Sequence, residues 1–312
     1  MSAPYALVPT VITDAMLTSS TTAEPGAGET AWNAATSYVV GQEAILTSTH
    51  RVYTNLIAGV DATSPNLTLT APTPRWRDTR ATNRWAAFDT KRSNQTALVT
   101  PLTYVLRPGI FNAIAFYGLD GVTLTVSIKD TPGGTVVYTY TGDLSELPLD
   151  HYDYYFGRIR LLSKVLLSGI NIYADPEVTI SITAGAAVTV KAGVIAIGDL
   201  RPLLAVDDTG GTQYGASIKP VTTGYMSRDA AGNNVLNDRV NSTDMDIRIQ
   251  MPIADVNAAL ATMQDVLSAP AAWIGSDLAE YAGLNAFGQG SGSVTYTGPG
   301  YAIISLTVRG LF

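Results

Sequence analysis

Acid–base chemistry in this chain would have to draw on His50 and His151, the only two histidines in 312 residues. His151 lies in Asp150-His151-Tyr152-Asp153-Tyr154-Tyr155, where an imidazole and two carboxylates are close enough in sequence for proton transfer. The same run reads as the edge of a Tyr-rich strand, and no G-x-S-x-G turn supplies a nucleophile to go with it. Asp143, Glu146 and Asp150 are the residue types that glycoside hydrolysis uses in pairs, but only a fold sets two carboxylates across a cleft. Asp207-Asp208 with Gly210-Gly211, and the stretch Asp229 to Asn234, have the composition of calcium loops without the D-x-[DN]-x-[DN]-G order and closing Glu. Gly288, Gly290 and Gly292 in Gly-Gln-Gly-Ser-Gly lack the strand-to-helix junction and downstream acid of a phosphate cradle, and read as a hairpin. From these patterns no catalytic residue, no metal site and no cofactor is expected.

A different chemistry is offered between Trp32 and Trp76, where Trp32, Tyr38, Gly41, Tyr53, Pro65 and Trp76 are set among Thr, Ser and Asn. Large rings alternating with turn formers and short β-branched runs suit a small aromatic-cored β module rather than a helix. A ring left exposed there would stack on a sugar. Rings that are all buried would be the core that so small a unit needs in order to fold.

Stepping outward to the whole chain, 312 residues are enough for two or three domains with real cores. Charged residues make up 14% of the chain, well under the roughly 25% of an average soluble protein. Thr, Ala, Gly, Val and Ser dominate instead, which favours β-structure with much surface hidden in an assembly. A net charge of −7 and a pI near 4.8 leave no basic face for nucleic acid or an anionic membrane. Arg75, Arg77, Arg80 and Arg84 form only a short local cluster. Without cysteine there are no disulfides and no thiolate metal sites. No window reaches about 18 apolar residues and Met1 to Thr10 lacks a signal-peptide pattern, so a protein made in the cytosol and not inserted in a membrane is expected.

The elements follow from periodicity. Residues 1–12 read as an arm or edge strand, and Thr18 to Thr30 as a Ser/Thr/Gly/Pro linker into the module. Val122, Leu124, Val126 and Ile128 alternate with polar residues, Asp130-Thr-Pro-Gly-Gly134 supplies a turn, and Val136, Tyr138 and Tyr140 alternate beyond it. Phe111 to Tyr117, Val178 to Ile182 and Val188 to Ile197 add strands without intervening helices, which predicts an antiparallel β-sandwich. Past a break at Leu200 to Gly215, Met245, Ile247 and Ile249 predict a strand, and Ile253, Val256, Leu260, Met263 and Val266-Leu267 recur at helical spacing between Pro252 and Pro270. Trp273-Ile274 and Ile303 to Val308 complete a C-terminal α+β unit, whose Leu311-Phe312 ending is expected to be docked. The fold class is therefore mainly β. Its expected divisions are an inserted module over residues 27–79, a sandwich over 1–26 and 80–205, and the α+β domain over 206–312. Arg84, Trp85 and Phe88 are expected to pack the module's exit onto the sandwich.

Trp32, Tyr38, Gly41, Tyr53, Pro65 and Trp76 resemble the short chitin- and cellulose-binding modules found beside chitinases, with Gly41-Gln42-Glu43-Ala44 where those carry Gly-Asp-x-Val. The resemblance implies that Trp76 and Tyr38 contact carbohydrate, that Trp32 and Tyr53 are core, and that Gly41 follows a turn at a strand start. A second resemblance spans nearly the whole chain. Val11-Ile12-Thr13-Asp14-Ala15-Met16, the module, Thr82-Asn83-Arg84-Trp85 with Phe88-Asp89, the hairpin, Tyr152 to Phe156, Gly215-Ala216-Ser217, Ala272-Trp273-Ile274-Gly275-Ser276 and Val308-Arg309-Gly310-Leu311 are similar to a family of tailed-bacteriophage virion proteins encoded among tail genes. It implies a structural component of the tail tip or baseplate, other tail proteins and copies of itself as partners, and a bacterial surface glycan as an alternative partner for the module. A neck or collar position is the alternative within the particle.

Overall fold

A computed structural model describes residues 3–89, 94–145, 150–157, 161–204, 210–222, 224–228, 232–237, 241–267, 269–276 and 278–311. Every pairing between its strands is antiparallel, and the one long helix described is Ile253–Leu267.

The predicted hairpin forms from Thr123–Lys129 and Val136–Asp143, its turn held by Asp130, whose Oδ1 accepts from the amides of Thr131 and Thr135 at 2.8 and 2.9 Å. With Glu177–Thr183, Leu102–Leu106 and Leu17–Ser20 it makes a five-stranded sheet. Alternation decides what that sheet buries. Leu124, Val126 and Ile128 stand opposite Ile182, Ile180 and Val178, which in turn stand opposite Leu102, Tyr104 and Leu106. These columns face Ile114, Phe116, Val165, Leu167, Ile195 and Ile197 of a second sheet, and together they form the sandwich core.

The second sheet has ten strands. Its order runs Lys164–Leu167, Ala113–Tyr117, Val194–Pro202, Tyr5–Pro9, Ala271–Ile274, Asn285–Gly298, Tyr301–Gly310 and Asn241–Pro252, with Gly211–Thr212 and Ser217–Thr222 both paired to the last of these. The sheet curls. Three strands separate Ala113–Tyr117 from Asn285–Gly298, yet the rings of Tyr117 and Phe287 are 5.1 Å apart and the Tyr117 hydroxyl donates to Asn285 Oδ1 at 2.6 Å. On this side Leu7, Ala113, Ala115, Ala196, Ala272 and Ile274 form a core in which small residues permit the bend. On the other side of the C-terminal strands, helix Ile253–Leu267 lays Val256, Ala259, Met263 and Val266 against Trp273, Ala286 and Ile304.

The N-terminal strand corrects an expectation. Tyr5–Pro9 is not an arm or an edge: it pairs with Val194–Pro202 on one side and Ala271–Ile274 on the other. Ala6 and Leu7 are both fully buried, in different cores, as an interior strand covered on both faces requires. One sheet therefore crosses the division expected at residue 205. Leu311 is held by a hydrogen bond from its amide to Phe287 O at 2.7 Å, and Phe312 lies outside the described residues. No helix among the described residues is long and apolar enough to cross a membrane.

Tyr104 is buried in the sandwich core, where its hydroxyl donates to Arg84 O at 2.9 Å. Burial pushes that hydroxyl up to about 12, against roughly 10 for tyrosine in an unfolded chain. The unfolded state thus loses the proton first. The stabilisation is complete below pH ~10 and is lost as pH rises towards ~12, by about 3 kcal/mol from this residue. Tyr117, also fully buried, shifts in the same direction. Urea midpoints should be flat from neutral pH to about 9 and fall steeply above 10, with Tyr104→Phe reducing the slope.

Candidate functional site

The inserted module is a three-stranded sheet, Glu43–Leu46, Arg51–Asn55 and Trp76–Ala81, facing the short pair Ser37–Tyr38 and Gly59–Val60. Its last strand carries it to Ala81, two residues past the expected end. Between the two sheets Tyr38 and Trp76 meet edge to face, ring centres 4.9 Å apart, each 1% exposed. The Trp76 indole N–H donates to Asp61 Oδ2 at 2.9 Å, the Tyr38 hydroxyl accepts from the Asn33 amide at 2.7 Å, and the buried Tyr53 shares its hydroxyl with Thr49 Oγ1 at 3.0 Å. Gly41, at φ +85°, takes the left-handed turn that leads into the strand, and its amide donates to Asn55 O.

One role inferred from resemblance is thereby corrected. Trp76 and Tyr38, expected to offer ring faces to a sugar, are the centre of the module's core, and Trp32 packs half-buried against it. The reason is size. A unit of about fifty residues has few large side chains, and both polar tips find partners inside, so nothing opposes burial of the rings. Tyr53 is core as expected. Among the residues the module shows to solvent are five large aliphatic ones: Val39, Val40, Ile57, Val60 and Leu67. Backbone bonds bring the first four together, since Ser37–Tyr38 pairs with Gly59–Val60 and Gly41 bonds Asn55. A patch without donors or acceptors in its side chains suits a protein surface better than a hydroxyl-rich sugar. Three nearby arginines are engaged: Arg75 lies 3.8 Å from Asp61, Arg80 pairs with Glu43, and Arg51 reaches both Asp78 and Asp89.

Where module, linker and sandwich meet, a second polar cluster forms. Glu24, from the linker, accepts the His50 Nδ1 hydrogen at 2.9 Å and the Thr82 hydroxyl at 2.6 Å, with its carboxylate almost wholly buried. Asp14 lies 3.7 Å from the other imidazole nitrogen. The His50 ring stacks on Trp85 at 4.3 Å, and Trp85 packs on Phe88 and so on Tyr104 of the sandwich. Trp85 and Phe88 thus anchor the module's exit. The cluster is a joint: each donor and acceptor is directed at another element of the same chain. Two acids, Glu24 and Glu29, in an otherwise Ser/Thr/Gly-rich linker are the sequence signal that marks it. Glu24→Ala strands a buried imidazole N–H and a hydroxyl together, and should cost about 1–3 kcal/mol in chemical denaturation, with Glu24→Gln costing less.

The other sequence candidates do not assemble. His151 is exposed and opens a short helix, His151–Phe156, in place of the expected strand edge. Glu146, Asp207-Asp208 and residues 229–231 lie outside the described residues. Among the described residues no three His, Asp or Glu side chains converge as a metal site would need. One large cleft, of about 1250 Å³, opens on the curled face between segments 161–172 and 274–285, with Tyr5, Asn112 and Leu200 in its wall. Lys164 there donates to Asn285 O at 3.2 Å, and the lining carries no carboxylate or imidazole. Sequence could not have found it, because its wall comes from segments far apart in the chain.

Fold and site define a class: an antiparallel β-sandwich continued through one curled sheet into an α+β unit, carrying an aromatic-cored β module and a polar joint. No protein-family model, curated protein or solved structure matches the chain.

Proposed function

We propose that this chain is a structural subunit of a large assembly, an adaptor that binds other proteins and catalyses nothing. The observation that carries the reading is where its apolar surface lies. Three appendages display apolar side chains: the module tip at Val39, Val40 and Val60, the short helix at Tyr152, Tyr154, Tyr155 and Phe156, and the ribbon of Tyr225–Arg228 with Asn234–Asn237 at Met226 and Leu236. Exposed apolar side chains grouped in this way suit a partner surface. Low charge supports the same reading.

For the kind of assembly the support is the resemblance of the ordered segments to tailed-phage virion proteins, which implies a subunit of a tail tip or baseplate among other tail proteins. In this reading the module is a protein-docking appendage, and a host-glycan adhesin is the lesser alternative because its two candidate rings are buried. Mass spectrometry of purified particles of the phage that encodes the chain, with its position mapped in an averaged image, is the test. The chain should be present at the distal tail; particles that lack it would overturn the proposal.

A further inference from the structure

We infer that two copies of this chain pair through the strand Val136–Asp143, joining their five-stranded sheets edge to edge across a two-fold axis. This strand ends its sheet, and no described strand pairs with its outer side. Natural edges of this kind are blunted with Lys, Pro, bulges or a covering loop. Here Val136-Val137-Tyr138-Thr139-Tyr140-Thr141-Gly142 has neither charge nor Pro. A bulge does occur, at Ile128/Lys129 against Val136 to Tyr138, but it leaves Tyr138 to Asp143 in regular register. Val136 and Val137 are 50% and 39% exposed, and Thr139 and Thr141 are open to solvent.

The occupant is a second copy because the surface is complementary to itself. Tyr138 and Tyr140 face the core side while Val137, Thr139 and Thr141 face outward, and directly paired residues must share a face. A two-fold through Thr139 meets this requirement. It sets Tyr138 opposite Tyr140 of the second copy, Val137 opposite its Thr141 and Val136 opposite its Gly142, with no like charges facing. Both half-buried tyrosines are then covered by cross-strand aromatic pairs. The axis also uses the chain's most conspicuous apolar segment. Beyond the Asp143 end, where Leu144 N bonds Val122 O and Leu162 N bonds Leu144 O, the short helix His151–Phe156 carries Tyr152, Tyr154, Tyr155 and Phe156, between 69% and 75% exposed. Antiparallel pairing brings that end of one copy to the exposed valines at the opposite end of the other. Roughly 100 Å² from each half-covered ring, with a comparable total from the strand edge, approaches the roughly 800 Å² per copy of a stable interface. Pairing in solution needs no tail partner, so its failure and the failure of the virion reading are separate results.

The test is sedimentation velocity of the full chain from roughly 1 to 100 μM. The wild type should dimerise, and Thr139→Lys, which sets two ammonium groups face to face on the axis, should raise the dissociation constant at least about tenfold. Thr139→Glu should do the same, and mixing the two variants should restore a heterodimer, which loss of folding cannot imitate. Tyr154→Ser should weaken association without touching the strand. If circular dichroism shows Thr139→Lys unfolded, Thr141→Lys, on the same outward face, replaces it. A wild type that stays monomeric throughout, a Thr139→Lys protein that dimerises like wild type, or a Lys/Glu mixture that fails to associate would each overturn the proposal.

Discussion

Trp76→Ala should unfold the module and leave the sandwich standing. The indole is buried between the module's two small sheets, edge-on to Tyr38, and its N–H donates to Asp61 Oδ2, while the Thr63 amide donates to Oδ1. Removing it opens a cavity of nearly a whole indole and leaves a buried carboxylate oxygen short of a donor. Trp→Ala substitutions in cores cost about 3–5 kcal/mol, and the orphaned acceptor adds about 1–3. A unit of about fifty residues has little more stability than that to lose. Limited proteolysis should therefore cut Trp76→Ala between residues 30 and 80 while the remainder stays resistant, and far-UV circular dichroism should keep most of its β signal. Trp32→Ala, at a half-buried position, should be clearly milder. A Trp76→Ala protein as resistant as wild type but unable to bind a glycan would reverse the assignment and revive the stacking role.

Gly290→Val should be strongly destabilising to the C-terminal half. A Cβ at Gly290 would stand 2.4 Å from Cζ2 of Trp273, a side chain with no exposed surface whose own N–H is tied to Gly288 O at 3.2 Å. The ring cannot swing aside, because Met263 and Val266 of the helix share its core. Overpacking a rigid neighbour costs about 1–3 kcal/mol and occasionally more, and this contact belongs at the top of that range. The thermal midpoint should fall by several degrees, whereas Gly298→Ala, where nothing lies within 4 Å, should be neutral. A double-mutant cycle gives the sharper check: with Trp273→Ala in place the added valine should cost much less than alone. Equal cost in both backgrounds would show that the indole is not the obstacle.

That glycine shows where sequence stopped. Gly-Gln-Gly-Ser-Gly reads as a turn-rich hairpin, and it does lie in a hairpin, but inside the strand Asn285–Gly298 rather than at its bend. Gly290 and Gly292 are there because Trp273 and Met263 rest on them. Nothing local marks a strand glycine as the floor beneath a distant ring. The roles of the rings were hidden for a related reason. Trp and Tyr suit a solvent-facing platform and a core equally well, so Trp32, Tyr38 and Trp76 are interchangeable until their neighbours are known.

Period-two alternation determined the hairpin and the strand Glu177–Thr183 by itself, because the pleat sends successive side chains to opposite faces and only one face of each of these strands is apolar. Helical spacing before Pro270 determined the helix, and the aromatic cluster marked the module as a unit. Tertiary structure alone decided that Tyr5–Pro9 is an interior strand, that one sheet unites what composition divides near residue 205, and that Glu24 and His50 lock the module to the body. Local pattern states which side chains share a face. It does not state which distant strand, ring or carboxylate will cover that face, since that choice is made by packing between segments a hundred or more residues apart.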